Sequence, residues 1–273
     1  MIEILYFEFF RNALIAGLLA SVACGVMGTY VVVKKISFIS GGIAHSAFGG
    51  IGLGYLLGFN PIIGAVIFSI ASALGIGVIS QQGHENEDTI IATMWATGMA
   101  LGILFIALAP GYAPDLMSYL FGNILFVPTE DLLIMLLLDV LIIGVVWLFY
   151  NEFLALSFDE EFATIMNIPV KKLYLLLLCL IALTVVMLIK IVGVILVIAL
   201  LSIPAAIAHQ HTENLKKIMI VAILFGMLFT FAGMWLSYLA DVPSGATIII
   251  LAAGAYGISI ALGKIRKKKN SVE

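Results

Sequence analysis

The chain has 273 residues, 63% of them hydrophobic and 11% charged, with a formal net charge of −3. Uncharged stretches recur from end to end, which excludes an ordinary soluble domain and fits a polytopic membrane protein. No basic start with a small-residue cleavage site precedes the first apolar run, so no removable signal peptide is expected, and no nucleic-acid partner either.

About nine apolar stretches are long enough, or nearly so, to cross a hydrocarbon core. They run over Phe9–Val33, Ile36–Gly58, Pro61–Ser80, Thr89–Ala109, Leu132–Tyr150, Leu173–Ile189, Ile191–Ala208, Ile218–Leu239 and Ala246–Gly263. Backbone groups inside lipid must be satisfied within the segment, so the fold class is all-α, a helical bundle in one permease-like domain over residues 1–273. If the first stretch is peripheral, eight spans remain.

The first stretch carries Cys24 and ends at Lys34-Lys35. Cys24 and Cys179 both sit in apolar segments and read as packed thiols rather than a disulfide. The second stretch holds the most informative residue, His45, about ten residues past Lys35. At about 1.5 Å per residue that places it roughly 15 Å deep, near the midplane of a core about 30 Å thick. An ionisable group there reads as part of a substrate or ion pathway, and neutral imidazole is a common transition-metal ligand. The alternative is a packed histidine bonded to a neighbouring carbonyl. Around it lie Gly41, Gly42, Gly49, Gly50, Gly52 and Gly54. One pair fits close helix packing; the whole set predicts a helix that flexes or lies against a pathway.

Further along, His84, Glu85, Glu87 and Asp88 form a polar cluster before the fourth stretch, and Asp115, Glu130 and Asp131 flank the fifth. Both read first as solvated loops. Asp139 lies inside the fifth stretch, as a metal ligand or a neutral, hydrogen-bonded acid. His209 and His211 do not share a helical face. Asp241, beside Pro243 and Gly245, could receive an ion at the pathway mouth or simply initiate a turn.

Lys34-Lys35, Lys171-Lys172, Lys216-Lys217 and Arg266–Lys269 fall on one side of a nine-span chain. Lys190, in the tight turn between spans six and seven, is the exception. This asymmetry predicts a cytoplasmic C-terminus in a multi-pass cell-membrane protein.

The longest loop on that side predicts a short helix over Phe158–Met166. Ser157 and Glu160 match a capping box, the acids at Asp159, Glu160 and Glu161 suit the positive helix end, and Asn167 suits a left-handed stop before Pro169. Phe158 and Phe162 would be exposed, as an interfacial anchor or a docking knob. No phosphate-binding loop is visible, so ATP would be hydrolysed by another chain.

The run Phe158-Asp159-Glu160-Glu161-Phe162-Ala163 resembles the coupling helix of permease subunits in the ATP-binding-cassette importers for zinc, manganese and iron. Val31–Lys35 leading to His45, Glu87-Asp88-Thr89, Leu120–Leu125, Val192–Ala206 and Asp241–Gly245 are similar to further elements of that family, so the resemblance covers nearly the whole chain. It implies a type II importer-like permease working as a homodimer with two ATP-binding-cassette ATPases and an extracytoplasmic metal-binding protein. A divalent metal ion would be the substrate, with no permanently bound cofactor. His45 and Asp241 would be metal ligands and residues 158–163 the ATPase coupling element. Many members carry an aspartate one turn before the histidine; here that position is Gly41. The rival readings are a gradient-driven secondary metal transporter or channel, a membrane enzyme, and an importer of metal chelates or vitamins.

Overall fold

The computed structural model describes residues 7–82, 86–110, 119, 120, 122, 124 and 127–270, the last six of them through their backbone. His84, Glu85, Asp115 and part of Leu120–Leu125 lie outside the described residues. The helices are α1 (Glu8–Val33), α2 (Ser37–Leu57), α3 (Pro61–Ser80), α4 (Glu87–Leu108), α5 (Thr129–Leu148), α6 (Tyr150–Phe158), α7 (Glu160–Ile165), α8 (Val170–His209), α9 (Leu215–Ala240) and α10 (Ser244–Asn270). No strand occurs among the described residues.

Among the described residues seven helices are long and apolar enough to cross a membrane: α1, α3, α4, α5, α8, α9 and α10. The difference from nine has two sources. Glycine and serine dilute α2, which is long enough at 21 residues. The 40 residues of α8 break at Gly193, whose φ of 76° and ψ of 159° no helix contains.

That break reverses the chain. Gln81 Nε2 donates to the carbonyl of Lys171 at one end of the bundle, the end where Lys34 Nζ donates to the Leu156 carbonyl. Ala205 and Ala208 pack with Val32, Val33 and Ile218 at that same end. Both ends of α8 therefore lie together, and its two arms run antiparallel, matching the predicted spans six and seven. Lys190 stands at the far end, where its ammonium group reaches Asp131 Oδ2 at 2.7 Å. An ion pair with the start of α5 thus accounts for Lys190 on this side; Arg11, in the first turn of α1, stands at the same end.

Helix starts follow local chemistry. The Asn60 side chain accepts from Ile62 N ahead of Pro61, Asn86 from Asp88 N, and Asn214 from Lys217 N; each satisfies an amide the helix cannot. Most of α1 and α8 is buried, whereas α5 exposes Leu133, Leu137, Val140 and Trp147. Such a face suits lipid.

Between α3 and α4 lies α2. A Cβ on Gly50 would overlap the carbonyl oxygen of Gly64, and one on Gly52 would come within 2.5 Å of the Gly102 carbonyl oxygen. Backbones that close tolerate no side chain. The predicted flexing or pathway-lining helix thus gives way, across Gly49–Gly54, to tight helix packing. Cys24 is buried, Cys179 partly so, and both are free thiols.

Candidate functional site

His45 sits mid-helix in α2 and is 8% exposed. Its ring is stacked on the indole of Trp95 from α4, with centroids 4.0 Å apart and planes 14° from parallel. The Nδ1 atom is buried and has no hydrogen-bond partner among the described residues. The carbonyl bond expected of a packed histidine is therefore missing on that nitrogen. Next to it, Ser46 Oγ donates to the Met94 carbonyl at 3.1 Å, tying α2 to α4 beside the stack.

The outer face of α4 differs from that of α5. It exposes Asp88, Thr89, Ala92, Thr93, Ala96 and Thr97, which line a shallow groove. Hydroxyls and methyls of that kind suit a helix partner or a wet passage better than acyl chains. Trp95 lies at the edge of this face, half-buried.

Asp241 is far from this arrangement in chemistry and environment. It is exposed and closes α9 in a left-handed conformation, φ 52°. The fold does not gather His45 and Asp241, and no group of three or more His, Cys, Asp or Glu side chains able to hold a metal occurs among the described residues. His209 and His211 are exposed. Asp139 is buried at 2% exposure and neither carboxyl oxygen has a partner among the described residues, so of the two readings the hydrogen-bonded acid is not found there.

The short helix at the Lys34 end forms, but with a different start. Ser157 does not cap it: α6 continues through this residue, and its Oγ donates to the Phe153 carbonyl at 2.7 Å. The N-cap is Asp159, whose Oδ1 accepts from Phe162 N at 2.9 Å. Glu160 is then the first helical residue, and instead of reaching back to Ser157 it receives Lys34 Nζ at 2.6 Å. The stop is as expected. Asn167 has φ 58°, with Ile168 N bonded to the Ala163 carbonyl and Asn167 N to that of Thr164, the paired bonds of a left-handed cap.

Ala163 is fully buried under α7, while Phe158, Phe162, Ile165 and Met166 are all more than half exposed. Asp159 and Glu161 lie exposed beside them. Four apolar side chains at and beside one capped short helix make a knob with no partner among the described residues.

Two residues escaped the sequence reading. The sequence marks Lys34 as a basic charge at a helix end, yet its side chain is 7% exposed and holds both Glu160 and the Leu156 carbonyl. Trp95 carries no local mark that separates it from the other apolar residues of its span; the bare Gly41 opposite it is the available signal.

A profile of the ABC 3 transport family matches residues 6–263. A probable metal transport system membrane protein of Chlamydia pneumoniae is 43% identical over 256 residues, 92% of this chain and 87% of that one. The manganese transport system membrane protein MntC of Listeria monocytogenes is 34% identical over 273 residues, covering 98% and 97%. The structure of PsaBC from Streptococcus pneumoniae in complex with Fab superposes with a TM-score of 0.85 at 32% identity, over 94% of this chain and 93% of that one. Matched by profile, by relatives along its whole length and by a solved structure, this chain belongs to the ABC 3 transport family.

Proposed function

We propose that the chain is the membrane permease of an ATP-driven importer that carries a divalent transition-metal ion into the cytoplasm. The observation that carries this reading is the imidazole of His45, held at mid-helix in a membrane bundle with a ring nitrogen left without a partner. Buried polar atoms are almost always bonded, and an exception calls for a ligand or a functional role. Relatives named for metal and for manganese transport support the choice of cargo.

Two copies would pair through the Thr- and Ala-rich face of α4, bringing two His45 side chains toward one axis. Asp241, exposed at the Lys190 end, would meet the ion at the outer mouth. The basic residues at the Lys34 end support a cytoplasmic location for that end and for the C-terminus. There, α7 with Phe158, Asp159, Glu160, Glu161, Phe162 and Ala163 would dock on a separate ATPase, while an external binding protein delivers the metal. A gradient-driven carrier has no use for the exposed knob on α7, which favours the ATP-driven reading.

Metal uptake by cells expressing the chain with its ATPase and binding protein tests the proposal. His45→Ala is expected to reduce uptake to background at unchanged membrane abundance. Uptake equal to that of the parent chain would remove His45 from the path.

A further inference from the structure

His45 is the only donor on its face of α2. The positions one turn away are Gly41, Gly42, Phe48 and Gly49, and these alone on the helix could share an ion with it. None carries a metal-binding atom, and the three glycines are sealed by neighbours. A Cβ on Gly41 would lie 3.1 Å from Trp95 Cζ3, one on Gly42 2.9 Å from Ile91 Cγ2, and one on Gly49 2.7 Å from Phe68 Cε1.

Trp95 does two things at once. Its six-membered ring covers Gly41, filling the volume that a longer side chain would need. The same indole lies flat on His45, fixing the imidazole plane. Oxygen donors are thereby kept from the ion on this helix, and α2 presents a nitrogen donor alone. Imidazole suits zinc and other late first-row ions, whereas manganese is held best by carboxylate, carbonyl and water oxygens.

We propose that Trp95 is the specificity-determining residue of the metal path: by packing on Gly41 and His45 it makes the site an imidazole site, selective for zinc over manganese. This rests on His45 being the pathway ligand. It also separates the chain from its relatives named for manganese transport.

Equilibrium binding of zinc and of manganese to the purified full-length chain in detergent tests it, the relevant signal being the component lost in His45→Ala. The parent chain is expected to favour zinc by at least on the order of tenfold, and Trp95→Phe, which keeps a ring over both residues, to retain that ratio. Gly41→Asp combined with Trp95→Ala admits a carboxylate one turn from the imidazole. Manganese binding should then strengthen by on the order of tenfold, and Trp95→Glu, which brings the carboxylate from α4 instead, should shift the ratio the same way. Equal affinities in the parent chain, or an unmoved ratio in both carboxylate variants, would overturn the selectivity. Zinc binding that persists in full in His45→Ala would instead overturn the underlying site.

Discussion

Lys34 and Glu160 meet at 2.6 Å, joining the residue that closes α1 to the first residue of α7. The next residue, Lys35, takes the left-handed conformation with φ 59°, and α2 with His45 starts two residues later. A displacement of α7 is therefore applied directly at the bend from which the His45 helix departs. Lys34→Ala is expected to lower metal uptake on the order of tenfold, the size of a typical coupling between sites, while the ATPase still co-purifies. Lys34→Arg keeps the charge and should restore most of the uptake. Loss of the ATPase together with uptake would show that Lys34 merely holds the docking surface in shape.

Phe162 presents its ring to solvent while its backbone amide completes the Asp159 cap. Phe162→Asp should leave the fold alone, with a stability change within about 0.5 kcal/mol, as surface substitutions usually do. It should weaken ATPase association by about 2 kcal/mol or more, roughly thirtyfold. Co-purification and thermal unfolding of the same preparation measure the two effects. Undiminished association would assign the knob to the membrane surface.

Gly50 and Gly64 bring α2 and α3 into backbone contact. Gly50→Ala forces those helices apart and is expected to cost roughly 1 to 3 kcal/mol, the range for overpacked interiors. Gly144, on α5, has nothing within 4 Å of its would-be Cβ; Gly144→Ala should be neutral or stabilising by up to about 1 kcal/mol through helix propensity. Thermal unfolding in detergent separates the signs.

Asp139 keeps two carboxyl oxygens buried without partners among the described residues. Replacing an unsatisfied polar group with an apolar one of similar size removes a desolvation penalty. Asp139→Leu should therefore raise thermal stability, by roughly 1 to 3 kcal/mol, and Asp139→Asn, still polar, should gain less. A large loss of stability in Asp139→Leu would mean that the carboxyl finds a partner in the assembled transporter.

Spans and helix stops were readable from the chain because each depends on a local rule. Asn60-Pro61 starts a helix, Asn167 with Pro169 ends one, and apolar length orders the rest. The two arms of α8 were also separable, since Lys190 interrupts an otherwise continuous apolar run; the actual break, at Gly193, falls three residues later. What failed depends on residues distant in sequence. Ser157 and Asp159 are both good N-caps, and only the continuation of α6 decides between them. Lys34 finds its partner 126 positions away. The glycines of α2 carried the right signal with the wrong cause, because their meaning lies in Gly64, Gly98 and Gly102 across two other helices. The neighbour of His45 was the hardest to foresee: the facing of α2 against α4 decides that an indole takes the place a carboxylate might have held.

The tight reversal at Gly193 leaves almost no polar chain to be carried across the bilayer between the two arms of α8. One ammonium group, on Lys190, is the whole of the charge that this pair of helices must deliver to the far surface. Its counter-ion, 59 positions earlier on α5, belongs to a segment made before it. The hairpin therefore meets its counter-ion at the turn, on a helix that precedes it in the chain.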